Sequence, residues 1–114
     1  MQFRVVLMVL AGLNAGSVIA ADKEHLRSVE TFGYFYALAE ALEAKCPDVK
    51  VELGARNGAF SDNDFLSDEE YSEALDIADA LHEKAKSDLA GKSCADARIE
   101  LMKYTELPEA EVFQ

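Results

Sequence analysis

Residues Ser67–Gly91 read SDEEYSEALDIADALHEKAKSDLAG, and this stretch sets the fold class. Ser67 followed by Asp68, Glu69 and Glu70 is a capping box: the serine hydroxyl accepts from the third helical amide, and Glu70 reaches back. Three acids in the first turn also suit the positive end of the helix dipole. Tyr71, Ala74, Leu75, Ala78, Leu81, Ala85 and Leu89 then recur at spacings of three and four, which is one apolar stripe of a helix. Lys84, Lys86 and Lys92 fall near its carbonyl end. Gly91 stands where a left-handed residue would end it. One long amphipathic helix is predicted over 67–91.

Upstream, a second stripe runs through Leu26, Val29, Phe32, Phe35, Leu38, Ala39 and Leu42, and predicts a helix from Asp22 to Lys45. Lys23, Glu24, Arg27, Glu30, Glu40 and Glu43 take most of the opposite face. Gly33 weakens this helix by about 1 kcal/mol while leaving room for close packing. Pro47 ends it, because the residue before a proline is pushed out of helical geometry. Downstream, Ser93 caps a last helix with Asp96 at its third position. Cys94, Ala97, Leu101 and Tyr104 lie along one face, flanked by Ile99 and Met102. Leu107-Pro108 closes it, and 106–114 is expected to be a loose tail.

Between the first two stripes, Asp48 to Leu66 has no clear period. Val49, Val51 and Leu53 alternate with charged residues as a strand would, yet no partner strand is evident. An unpaired strand leaves its backbone groups unsatisfied, so a short helix through Val51 to Phe60, with Ala55 and Ala59 one turn apart, is preferred. Asn57-Gly58 is a turn signal against it. The expected fold is therefore all-α: a small bundle of three or four helices in one domain, 21–114.

Residues 1–20 read as a cleavable export signal rather than structure. Arg4 precedes the apolar run Val5–Leu10, and Val18 and Ala20 are the small residues a signal peptidase requires. The run is too short and too interrupted for a membrane span of about 20 residues. The chain of 114 residues carries 22 acids against 11 Lys and Arg. Losing Arg4, the one charged residue of the leader, makes the formal net charge one unit more negative than −11, hence −12. Such a surface repels nucleic acid and anionic membranes, and favours a basic or exposed-hydrophobic protein partner.

Cys46 and Cys94 are the only cysteines, and behind an export signal they predict one disulfide. Closing a loop of that length removes roughly 4 kcal/mol of chain entropy from the unfolded state. It pins the end of the first helix to the start of the last. The Cys46-Pro47 helix end and the final Cys94-Ala95-Asp96-Ala97 helix resemble a loosely defined group of small exported bacterial proteins of unknown function. That resemblance implies a periplasmic or secreted helical protein and brings no activity with it. Mature size and bridge span are also similar to those of the acid-stress chaperones of the periplasm, although the sequence around each cysteine departs from that family.

No catalytic or cofactor motif stands out. His82-Glu83 lacks the second histidine of a zinc helix, since position 86 is Lys86. A metal site on His25 or His82 would need carboxylates from elsewhere. Asp62, Asn63 and Asp64 open like a calcium loop, but Leu66 and Ser67 occupy the fifth and sixth positions and break it. With both cysteines in the bridge and no G-x-S-x-G, no nucleophile is available. The chain reads as an exported, non-enzymatic interaction protein. Its candidate contact residues are Asp62, Asp64 and Asp68, the Asp48–Leu66 connection, and the aromatic anchors Tyr34 and Tyr36. An acid-stress chaperone and a metal carrier are the alternatives; no cofactor or metal ligand set is assigned.

Overall fold

In a computed structural model, residues 26–60 and 64–114 are described. The segment expected to be an export signal, the start of the first predicted helix, His25 and Asp62 lie outside them. Among the described residues six helices follow in order: α1 (Val29–Lys45), α2 (Leu53–Arg56), α3 (Asp68–Ala80), α4 (His82–Leu89), α5 (Cys94–Met102) and α6 (Glu109–Val112). The architecture is the expected all-α bundle. α1 lies at its centre and packs mainly on α3, then α4 and α5, while α2 meets α6.

Apolar burial explains why α1 is central. Phe35, Leu38 and Leu42 are at most 1% exposed, and Ala37, Ala39 and Ala41 are buried beside them. An α-helix surrounded by neighbours on several sides needs apolar residues beyond one stripe, and the alanines supply them. The helix starts later than the periodicity implies. Ser28 caps it by accepting from the Thr31 amide at 3.0 Å, which sets Val29 as the first helical residue and separates it from Leu26.

Gly33 sits where α1 crosses α3. A Cβ built there would lie 2.6 Å from Ile77 Cγ2 and 3.0 Å from the Ala74 carbonyl. The missing side chain, with Ala74 and Ala78 opposite, lets the two helices approach closely. Ile77, which the α3 stripe leaves out, is thus the residue that fills the notch.

The Ser67 capping box forms as expected, with Glu70 N–H donating to Ser67 Oγ at 3.2 Å and Ser67 N–H to Glu70 Oε1 at 2.9 Å. The single helix expected over 67–91 is instead two, with Leu81 at φ −98° and ψ 6° between them. Backbone bonds still cross the joint, Leu81 N–H to Ile77 O and Ala85 N–H to Leu81 O, both 2.9 Å. No proline or glycine marks it. α4 ends at Leu89 with Ala90 in right-handed helical geometry, so Gly91 is not the expected left-handed cap. The only glycine with positive φ among the described residues is Gly58, at +80°, in the turn that Asn57-Gly58 signals.

Two expectations for the ends of the chain are overturned together. Helix α2 is a single turn, shorter than the predicted Val51–Phe60 segment, and 106–114 is docked instead of loose. Val51 pairs with Phe113 in an antiparallel bridge. Glu52 N–H donates to Val112 O at 2.7 Å, and Gln114 N–H to Lys50 O at 3.0 Å. The apolar residues of the tail close the core: Leu107 is 6% exposed, Val112 0% and Phe113 7%. The partner missing for Val51 is thus the C-terminal segment, which satisfies the backbone groups of Lys50 and Glu52 through an isolated bridge rather than a sheet, while Val49 N–H turns back to Cys46 O.

Cys46 and Cys94 form the disulfide, with a Cα–Cα distance of 6.0 Å and a sequence separation of 48. Cys46 is buried and Cys94 is exposed. The bridge joins the end of α1 to the start of α5, where Ser93 caps by accepting from Asp96 N–H at 3.1 Å. Among the described residues, no helix is long and apolar enough to cross a membrane.

Candidate functional site

The docked tail and the connection after α1 enclose a groove of about 440 Å³. Its floor holds Ala55, Phe60 and Leu107, all buried, and Ala110 and Phe65 stand at its wall. Glu52 and Glu111 form its edge. Phe65 is 58% exposed and Leu53, beside Glu52, is 68% exposed. Large apolar side chains left in solvent next to an apolar floor and rimmed by like charge are how a protein-interaction site presents itself.

Backbone pairing holds this geometry. Phe60 N–H donates to Asp64 O at 2.8 Å and Leu66 N–H to Gly58 O at 3.2 Å, with an antiparallel bridge between Ala59 and Phe65. Gly58 lets the chain turn beneath Leu66, whose Cδ1 would lie 3.0 Å from any Cβ there. Behind the groove, Arg27 grips Glu106 with two hydrogen bonds, Nε to Oε2 at 3.0 Å and Nη2 to Oε1 at 2.8 Å. Its guanidinium also pairs with Asp64 at 3.5 Å and lies 4.9 Å from the centre of the Phe60 ring. One arginine thereby fastens the chain before α1, the Asp64 loop and the tail. Glu43 does the same for the connection, accepting from Val51 N–H at 2.8 Å and from Arg56.

The sequence-predicted contact residues are placed unevenly. Asp64 borders Phe65 at the groove, and Asp68 is exposed in the first turn of α3. Tyr34 and Tyr36 are half-buried and engaged within the chain rather than presented as anchors. The Tyr36 ring packs edge-on to Phe32 and beneath Arg56. Tyr34 O–H donates to Asp88, its ring meets Tyr104 edge-on at 4.9 Å, and Lys84 Nζ lies 5.2 Å over it. Lys84 closes the network with a 2.8 Å bond to Asp88. His82 is exposed, and among the described residues no three His, Cys, Asp or Glu side chains gather as a metal site requires. Of the groove residues, Glu52, Phe60 and Phe65 fall in the Asp48–Leu66 connection that the sequence offers as a contact region without being individually marked, whereas Leu107 and Glu111 belong to the segment expected to be a loose tail. The one local signal for them is a pair of phenylalanines inside an acid-rich connection that has no helical period.

The Tyr34 network has a measurable pH signature. Burial, then the Asp88 hydrogen bond, pushes the Tyr34 phenol well above its ordinary 10.0. Burial also raises Tyr71 and Tyr104, with Glu100 adding to the latter. A group with a raised folded value contributes stability that is whole below its unfolded value and lost as pH rises through the folded one. Stability should therefore hold to about pH 10 and fall above it, because the unfolded chain ionises first. Urea midpoints between about pH 8 and 11, read beside tyrosinate absorbance, check this. Tyrosines that all titrate normally in the folded protein would refute it. Asp88 works in the opposite sense: the Lys84 bond, then the Tyr34 bond, lowers its carboxyl, so its contribution is lost on acidification.

No protein-family model matches the chain, and neither curated proteins nor solved structures show a match to it. Fold and groove define a class, the small all-α protein closed by one disulfide and by its own docked C-terminal segment.

Proposed function

We propose that this chain is an exported, non-enzymatic interaction protein whose acid-rimmed groove binds a partner segment carrying both basic and apolar side chains. The observation that carries the reading is Phe65 standing in solvent beside a buried apolar floor, with Glu52 and Glu111 at the edge. Apolar contacts supply affinity, and the carboxylates select cationic partners and speed encounter. The charge excess of 22 acids over 11 bases favours the same partner at longer range. Export is supported by the leader-like residues 1–20 and is compatible with the disulfide.

The test is titration with two designed peptides of equal length and equal aromatic content, one lysine-rich and one glutamate-rich. The lysine-rich peptide should bind and weaken as salt rises. Phe65→Ser should weaken it about tenfold, as expected for an anchor worth over 1 kcal/mol. Glu52→Gln with Glu111→Gln should flatten the salt dependence. Equal binding of both peptides, or binding indifferent to Phe65, would overturn the reading.

A further inference from the structure

A second cleft, of about 370 Å³, opens between the last turns of α1 and helix α4. Its floor is apolar: Ala41 and Leu89 are 5% and 2% exposed, with Ala44 beside them. Its rim carries two cations, Lys45 and Lys86, with the His82 ring beside them, and no carboxylate lines it. Acids outnumber Lys and Arg two to one in this chain. Most other basic side chains among the described residues are held by carboxylates, Arg27 by Glu106, Arg56 by Glu43, Lys84 by Asp88, Lys103 by Glu100 and Arg98 by Glu109, with Lys50 an exception away from any cleft. Among the described residues Lys45 has no ion pair. Lys86 and His82 reach only Glu83, at 3.9 Å, and that side chain is 83% exposed. The last turn of a helix suits a lysine, which accounts for Lys45 and Lys86 one at a time. It does not account for their facing each other across an apolar floor without a carboxylate.

We propose that this cleft binds a medium-chain fatty-acid anion, its chain against Ala41, Ala44 and Leu89 and its carboxylate between Lys45 and Lys86. The volume lies at the lower end of the roughly 300–1,000 Å³ that small-ligand sites span. A single anionic head answers the two lysines, and an unbranched chain answers a floor of alanines and one leucine. This site has the opposite charge from the groove above and is independent of it.

Decanoate, decanol and acetate, titrated against the whole protein by calorimetry with backbone and methyl NMR shifts, separate the possibilities. Decanoate should bind and shift Ala41, Ala44 and Leu89. Decanol and acetate should each bind at least tenfold more weakly, since each lacks one half of the match. Lys45→Gln with Lys86→Gln should weaken decanoate about tenfold and leave decanol unchanged, while the circular dichroism stays native. Decanol binding as well as decanoate would reduce the cleft to an apolar crevice and overturn the proposal. So would decanoate binding that ignores the two lysines, or shifts that map to the Phe65 groove, or no binding by any of the three.

Discussion

Opening the Cys46–Cys94 bridge should cost this domain about 4 kcal/mol, the largest loss expected from any single covalent change. The loop it closes covers a sequence separation of 48 and contains α2, α3 and α4, so the unfolded chain gains much freedom when the bond is cut. A total stability of about 5–15 kcal/mol is usual for a domain, and small ones fall near the bottom of that range. The bridge is therefore a large fraction of what keeps the fold intact. The two cysteines are not equivalent. Cys94 is exposed, so Cys94→Ser exchanges a surface atom and isolates the loop term. Cys46 is 3% exposed, so Cys46→Ser also buries a hydroxyl among apolar neighbours and should cost 1–3 kcal/mol more, as a rough estimate. Urea titration of the oxidised protein, the reduced protein and both variants checks this order. A difference below about 1 kcal/mol between the oxidised and reduced forms would mean that packing on α1 alone holds the bundle.

The second large effect is expected at Arg27. Replacing it with alanine leaves Glu106, whose side chain is only 6% exposed, without its bidentate partner. Losing a bidentate, charge-assisted pair at a part-buried carboxylate costs about 2–4 kcal/mol. The loss should be local in character, because Arg27 ties the tail to the chain before α1 and to the Asp64 loop. Amide exchange of Glu52 and Gln114, whose N–H groups bond to Val112 and Lys50 carbonyls, should speed up well before that of α1. Arg27→Lys keeps the charge but not the fork, and should fall between the two. Unchanged protection at Glu52 and Gln114 in Arg27→Ala would show that Val112 and Phe113 hold the tail unaided. Acid strong enough to protonate Glu106 should mimic the substitution, since the fork then loses its charge. Tail release that bares Leu107 and Phe113 at low pH, without loss of α1, is the behaviour the acid-chaperone alternative requires.

Both effects trace to contacts of very different visibility in the sequence. The disulfide follows from two cysteines and a leader, and its position follows from Pro47 and Ser93 ending and starting helices. The cap at Ser67, the stripe of α3 and the turn at Asn57-Gly58 are equally plain, because each depends on residues within a few positions of one another. The cap at Ser28 is also local, but the apolar period running through it from Leu26 to Val29 masks it. The groove is a different matter. Phe60 and Phe65 come from one connection, Leu107 and Ala110 from the tail, and neither segment has a period.

The amino-acid order alone was enough for the helical class, the bridge and the acidic character, since propensity, capping and apolar spacing are short-range properties. Folding in space added the anchoring of residues 106–114 on Val51, the burial of Tyr34 against Asp88 and Tyr104, and both clefts. Those features join residues dozens of positions apart, and their backbone partners and apolar neighbours exist only once the helices have packed. Val51 shows the reason: the alternation around it asks for a partner strand, and the residue that answers, Phe113, lies at the far end of the chain.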